Sequence, residues 1–257
     1  MSEPNPTGNA RFNDEAATWD LNPSVQESTR LAFQTLEPII RKLSLAQQDP
    51  TNVNADALST PLLDVLEVGC GTGLLTTRLA PLVRSVVAVD TADGMIDMLK
   101  AKVANASASD LGNIIPVCKL LVDPEDQTLP AQDSSDPHGP RQKFDLVLSH
   151  LVMHHVPDLR AFLGTLLGCL KPGGRVVLTD FEDFGPEAIK FHPKAKLEGV
   201  ERHGIQRVWM EGLMRDVGFQ DVKVEVGWGL EKKVTGWESE EEGKIMVFPF
   251  LVCEGVR

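Results

Sequence analysis

Val65-Leu66-Glu67-Val68-Gly69-Cys70-Gly71-Thr72-Gly73 decides the fold of this 257-residue chain, read together with Val86-Val87-Ala88-Val89-Asp90 further on. An apolar, β-branched run delivers the backbone into a turn with glycine at alternate positions. The apolar residues that follow, Leu74, Leu75 and Leu79, keep helical spacing. The order is therefore strand, glycine-rich turn, helix. Glycine permits a sharp turn and lets a ligand lie against the main chain with no Cβ in the way. The helix start offers unpaired N–H groups to a carboxylate or a phosphate.

The spacing separates two ligand classes. A dinucleotide fingerprint takes glycine at its first, third and sixth positions. Counted from Gly69, the sixth position is Leu74, and the extra glycine, Gly73, falls at the fifth. With Glu67 two residues ahead, the pattern Glu-x-Gly-x-Gly-x-Gly resembles motif I of the class I S-adenosylmethionine (SAM)-dependent methyltransferases. Asp90, at the end of the next strand, is a natural acceptor for a vicinal diol, and equally a cap for the helix that follows.

Composition narrows the rest. A hydrophobic fraction of 42% supports a substantial core, and the length suits one α/β domain with additions. No apolar run approaches the ~18 residues of a membrane span. Met1-Ser2-Glu3-Pro4-Asn5-Pro6 has neither a basic patch nor an apolar stretch, so no secretory signal is expected and a cytoplasmic protein is, with access to the nucleus left open. Cys70, Cys118, Cys169 and Cys253 show no paired spacing and read as reduced, mostly buried thiols. A net charge of −12 disfavours nucleic acid as a partner, because phosphate neutralisation needs clustered Lys and Arg. The acidic run Glu238-Ser239-Glu240-Glu241-Glu242 reads as a solvated loop.

Along the chain, residues 1–10 are expected to be disordered, 11–59 to form a helical extension or cap, and 60–257 to form the methyltransferase domain. In the extension, Ser24 and Glu27 make a capping-box signature, and Pro38 should kink or interrupt a helix running from Arg11 to about Leu45. Strands are expected at about 62–68, 85–90, 114–121, 144–149, 175–180, 221–226 and 245–253. Helices are expected at 73–82, 93–104, 158–170 and 206–217. Such alternation predicts a doubly wound, mostly parallel seven-stranded α/β sheet. Two closing strands with no full crossover helix between them predict an antiparallel last strand.

The resemblance spans roughly residues 60–253. Phe144-Asp145-Leu146-Val147-Leu148-Ser149-His150 resembles the family's fourth strand, and Leu170-Lys171-Pro172-Gly173-Gly174-Arg175 its turn into the fifth. It implies SAM as cofactor, with Gly69, Gly71 and Gly73 lining the methionyl part and Glu67 beside the ammonium group. It also implies Asp90 on the ribose hydroxyls, Thr91 and Met95 near ribose and adenine, Asp123 facing the adenine amino group with Asp126 as competitor, and Ser149 at the cofactor site.

The acceptor side is less defined. His150, His154 and His155 follow strand four, at the end of the sheet where ligands bind in open α/β folds. Histidine suits proton removal at neutral pH, with His154 the preferred catalytic base and His155 the second. Either could instead pack at a helix start. His192 and His203, in the segment after strand five, and Trp19 in the N-terminal helix complete the expected substrate pocket. Asp180, Glu182, Asp183 and His192 have no dedicated metal spacing, so no metal is expected.

No Asp/Asn-Pro-Pro-aromatic sequence follows strand four, which departs from the pattern of enzymes methylating adenine or glutamine amino groups. A small molecule methylated on oxygen, nitrogen or sulfur is the leading reading. A protein side chain as acceptor, or a non-catalytic SAM-fold regulator, are the alternatives; a nicotinamide-dependent oxidoreductase is disfavoured by the glycine spacing. Oligomeric state is left open.

Overall fold

The computed structural model describes residues 6–47, 62–237 and 243–257. The acidic run 238–242, residues 48–59 of the extension and residues 1–5 of the expected disordered terminus lie outside them. Five parallel strands come first: β1 (Asp64–Val68), β2 (Ser85–Asp90), β3 (Ile114–Cys118), β4 (Phe144–His150) and β5 (Leu170–Phe181). Then β7 (Ile245–Val256) runs antiparallel between β5 and the edge strand β6 (Gln220–Lys233). The order across the sheet is β3-β2-β1-β4-β5-β7-β6. The chain winds outward from β1 to β3, then restarts on the other side of β1 with β4. That reversal opens a crevice at the carboxyl ends of β1 and β4, the place where such sheets bind ligands.

Alternation along the strands builds two cores. Leu66, Val68, Val87, Val89, Val147 and Leu178 face one side, against α6 (Leu159–Cys169) and α7 (Arg207–Val217). Their neighbours Val65, Val86, Ala88, Leu146, Leu148 and Val177 face the other side. There they meet α2 (Pro23–Ala46), α3 (Thr76–Leu79) and α4 (Asp93–Asn105). Leu36 and Ile40 of α2 are essentially fully buried, each contributing about 1.5–3 kcal/mol. A third, aromatic cluster of Phe181, Phe191, Phe248 and Phe250 closes the carboxyl end of β5.

Several boundaries differ from the sequence reading. Residues 6–10 are helical, because α1 spans Pro6–Trp19. The expected single N-terminal helix is broken after Trp19, and α2 is capped by Asn22, whose side chain accepts from the Ser24 N–H, rather than by Ser24 itself. Glu27 pairs instead with Arg30. Pro38 does not interrupt α2, which runs on to Ala46. The helix after the glycine turn is only Thr76–Leu79, followed by a 3-10 turn containing Pro81.

Strand β5 starts five residues early, pairing Leu170 with Phe144 across an irregularity at Gly173, φ +77°. The β6–β7 ribbon extends well past 226 and 253, because each strand satisfies the other. Cys118 is exposed, whereas the other three thiols are free and buried. No helix among the described residues is long and apolar enough to cross a membrane.

Candidate active site

The glycine turn leaves β1 with all three glycines in the left-handed region, at φ +78° (Gly69), +55° (Gly71) and +80° (Gly73). Their surroundings are not alike. A Cβ at Gly69 would stand 2.1 Å from Val152 Cγ2, and one at Gly73 would stand 2.3 Å from Leu99 Cδ1. Those two glycines therefore admit neighbouring side chains. At Gly71 a Cβ would meet only Trp19 Nε1, at 3.9 Å, so the open cradle lies there.

Strand register puts Glu67 opposite Ala88, so Glu67 and Asp90 project from the same face. Glu67 is buried and accepts from Thr76 Oγ1 at 2.6 Å. Burial pushes its carboxyl up to about 8, with the nearby Asp90 adding to the rise and the Thr76 hydrogen bond opposing it. Asp90 accepts from the Gly71 N–H at 2.8 Å through Oδ2 and from the Ala92 N–H at 2.9 Å through Oδ1. It thus holds the glycine loop and the start of α4 together. Each oxygen keeps a second lone pair for another donor. Burial raises this carboxyl too, against the pull of the two N–H groups.

Helix α1 lies across this loop. Asn9 Oδ1 accepts from Thr91 Oγ1 at 2.9 Å, and Asn13 Oδ1 accepts from the Gly94 N–H at 3.0 Å. Met95 is buried with Ala16 and Ala92, against Phe12 and Trp19. Asp20 accepts from Thr72 Oγ1 at 2.5 Å and pairs with Lys102 Nζ at 2.6 Å. Thr91, Met95 and Trp19 thus sit together at the glycine loop, with Trp19 over Gly71 rather than in the expected acceptor pocket.

Other expected site residues have different partners. Ser149 Oγ donates to the Val68 carbonyl at 2.8 Å, stitching β4 to β1. Asp123 is exposed and its Oδ1 accepts from the Glu125 N–H, while Asp126 pairs with Lys119. His150 does not reach the acceptor side. Alternation turns it toward α2, where it bonds Ser28 Oγ (3.0 Å) and Thr179 Oγ1 (2.8 Å). His203 is exposed and lies outside the cluster formed by the other histidines.

That cluster comprises His154, His155 and His192. Leu151, with φ +58°, turns the chain out of β4 into the 3-10 turn Met153–His155. His154 is 2% exposed, and its Nδ1 lies 2.9 and 3.0 Å from the two oxygens of Asp180. His155 Nδ1 lies 2.7 Å from the Gly199 carbonyl. The His154 ring centroid is 4.0 Å from that of His155 and 5.0 Å from that of His192. His154 Nε2 and His192 Nδ1 are buried with no hydrogen-bond partner among the described residues. Burial lowers His155 to about 4 and His192 to about 2, keeping both neutral at ordinary pH. Phe12 of α1 packs edge-on to His155, with centroids 5.5 Å apart.

Two contributors escaped the sequence reading. In sequence Asp180 reads only as one of four candidate metal ligands, with Glu182, Asp183 and His192, and not as a partner of His154. Its place at the end of β5, like that of Asp90 at the end of β2, was the available signal. Arg202 donates to the carbonyls of Met153, Val156 and Pro157, bracing the turn that carries the histidines. The carboxylates first weighed for a metal do not gather: Glu182 faces Arg207 and Asp183 accepts from the Gly185 N–H.

Comparison with known proteins identifies the family and the fold. A sequence model of the methyltransferase domain matches residues 29–224. The chain belongs to the class I SAM-dependent methyltransferases. An uncharacterized methyltransferase of Schizosaccharomyces pombe is 29% identical over 170 residues, covering 64% of this chain and 55% of that protein. A ubiquinone biosynthesis O-methyltransferase of Paramagnetospirillum magneticum is 37% identical over 112 residues, covering 44% of this chain and 38% of its own. The chain thus spans little more than half the length of the first of these relatives.

Solved structures agree on the fold. A SAM-dependent methyltransferase of Thermotoga maritima superposes with TM-score 0.53 at 18% identity, covering 96% of each chain. Magnesium protoporphyrin IX methyltransferase of Synechocystis, solved with bound SAH, gives 0.55 at 18% identity, covering 92% of this methyltransferase and 88% of that chain. The residues present fit the family's cofactor: a Cβ at Gly71 would meet only Trp19 Nε1, and Asp90, which accepts from the Gly71 N–H, keeps lone pairs for a diol.

Proposed function

We propose that this methyltransferase transfers a methyl group to an oxygen, nitrogen or sulfur atom of a small molecule bound at the His154, His155 and His192 cluster. The observation carrying this reading is the orientation of His154 by Asp180, which leaves a buried, unpartnered Nε2 at the carboxyl end of β4.

The residues divide the work. Asp90 accepts hydrogen bonds from the ribose diol while keeping the Gly71 N–H. Glu67 lies behind the glycine turn on the methionyl side, where an approaching ammonium group favours loss of its carboxyl proton. Thr91 and Met95 flank the nucleoside, and Trp19 covers Gly71. Bound SAM supplies a methyl group already activated on a sulfonium, so most of the catalysis is positioning. With its Nδ1 proton directed at Asp180, His154 keeps a lone pair on Nε2 that can take the proton of an O–H, N–H or S–H group. His155 is held in the same tautomer by the Gly199 carbonyl. The charge of −12 fits neither nucleic acid nor an anionic membrane surface.

Incubation with methyl-labelled SAM and a fractionated cell extract tests this reading. Label in the low-molecular-weight fraction is expected. Label confined to protein would move the acceptor to a side chain, and no label anywhere would contradict the catalytic reading.

A further inference from the structure

We propose that His154, His155 and His192 form a binding site for one divalent transition-metal ion of the zinc class. The ligand atoms of the three imidazoles all lie within 4.8 Å of one another. A tetrahedral ion holds nitrogens at about 2.0–2.1 Å, so the rings need to close by only about an ångström. Two ring nitrogens of these histidines, His154 Nε2 and His192 Nδ1, are buried in residues 2% and 9% exposed and have no partner among the described residues. Burying a lone pair unpaired is unfavourable, and an ion satisfies both atoms at once.

The surroundings have the form of a metal centre rather than of a packed core. Metal-bound histidine usually donates its other ring N–H to a carboxylate or a backbone carbonyl, which fixes the tautomer and aims the ligating nitrogen. Asp180 does this for His154, and the Gly199 carbonyl does it for His155. Both rings therefore present Nε2 as the free nitrogen. Three protein ligands leave the fourth position open, the arrangement of catalytic rather than structural sites. Phe12 of α1 packs edge-on against the His155 ring.

This inference rests on the proposed acceptor site and refines it. The heteroatom of the acceptor occupies the open position, and its X–H proton leaves to solvent as the X–metal bond forms. His154 then ligates instead of taking that proton.

The test uses the full, untagged chain, stripped with a chelator and titrated with Co²⁺ and Zn²⁺. One ion per chain is expected, with the visible absorption of a four-coordinate Co²⁺ centre. His192→Ala and His155→Gln should each weaken binding at least about 100-fold, and Asp180→Asn about 10–100-fold. His203→Ala should leave it unchanged. If a variant fails to fold by circular dichroism, X-ray absorption of the Zn²⁺-loaded wild-type chain decides: three imidazole nitrogens with one solvent oxygen support the site, and a shell with fewer than three imidazoles overturns it. Absence of stoichiometric Co²⁺ binding, or unchanged affinity in folded His192→Ala, also overturns it. Titration with SAM on the same samples keeps the two readings apart. Heat with SAM but no Co²⁺ binding contradicts the metal site alone, and Co²⁺ binding without SAM heat contradicts the cofactor reading alone.

Discussion

Asp180 holds His154 at two points: its Oδ2 accepts from the His154 backbone N–H at 3.1 Å, while both oxygens face Nδ1 of the ring. One carboxylate at the end of β5 therefore fixes where the residue stands and which nitrogen carries the proton. A third donor, the Phe181 N–H, holds the carboxylate itself at 2.9 Å. The base or ligand atom of the cluster is set by the sheet rather than by the loop.

Asp180→Asn should consequently lower turnover on the order of 10²–10⁴-fold while leaving SAM affinity near wild type, because the change frees the ring without touching the glycine turn. Single-turnover kinetics beside calorimetric SAM binding check this. Equal losses in both would show that Asp180 supports the fold and not the chemistry.

The three glycines should behave differently although they form one motif. Gly69→Ala and Gly73→Ala drive a methyl group against Val152 and Leu99 at positive φ, and each should destabilise the chain by about 2 kcal/mol or more. Gly71→Ala makes only an ordinary contact with Trp19 Nε1, at 3.9 Å, so strain at positive φ limits its loss to about 1 kcal/mol, yet its methyl group enters the cofactor cradle. Thermal melts with and without SAM separate the two patterns. A Gly71→Ala chain that binds SAM normally would move the cradle elsewhere.

Glu67 predicts a pH dependence of stability in the SAM-free chain. Its carboxyl titrates near 8 in the folded state against a reference of 4.5, so the native chain keeps a proton that the unfolded chain releases across that interval. Stability contributed by this group is full below pH 4.5 and declines as pH rises toward 8. Glu67→Gln keeps an acceptor for Thr76 and removes the titration. The variant should therefore gain roughly 3 kcal/mol relative to wild type between pH 5 and pH 8. Denaturant unfolding at the two pH values measures it, and identical slopes would show that Glu67 is ionised in the free protein.

Much of this architecture was legible in the chain. Strand β2 ends at Asp90 as its alternation and acidic terminus indicated, and α4 begins at Asp93. The glycine spacing carried the family because it encodes backbone angles that only a turn of this kind requires. What local pattern could not show was partnership across long sequence separations. His150 and His154 look equivalent in sequence, but period-two alternation sends His150 toward Ser28 of α2, 122 residues away. His154 instead meets Asp180 only after the chain has crossed through α6. The lengths of β6 and β7 were hidden for a related reason: their outer halves are held by each other, through pairs such as Leu230 with Phe248, and not by an apolar run.

The central claim, that Gly71 and Asp90 form the SAM site, is tested most directly by calorimetric titration of the wild-type and Asp90→Ala chains with SAM and with a nicotinamide dinucleotide. The account predicts one SAM per wild-type chain and no heat with the dinucleotide. For Asp90→Ala it predicts at least a 10-fold loss of SAM affinity in a chain destabilised by only about 1 kcal/mol. Heat with the dinucleotide and none with SAM, or SAM affinity unchanged by Asp90→Ala, would contradict it.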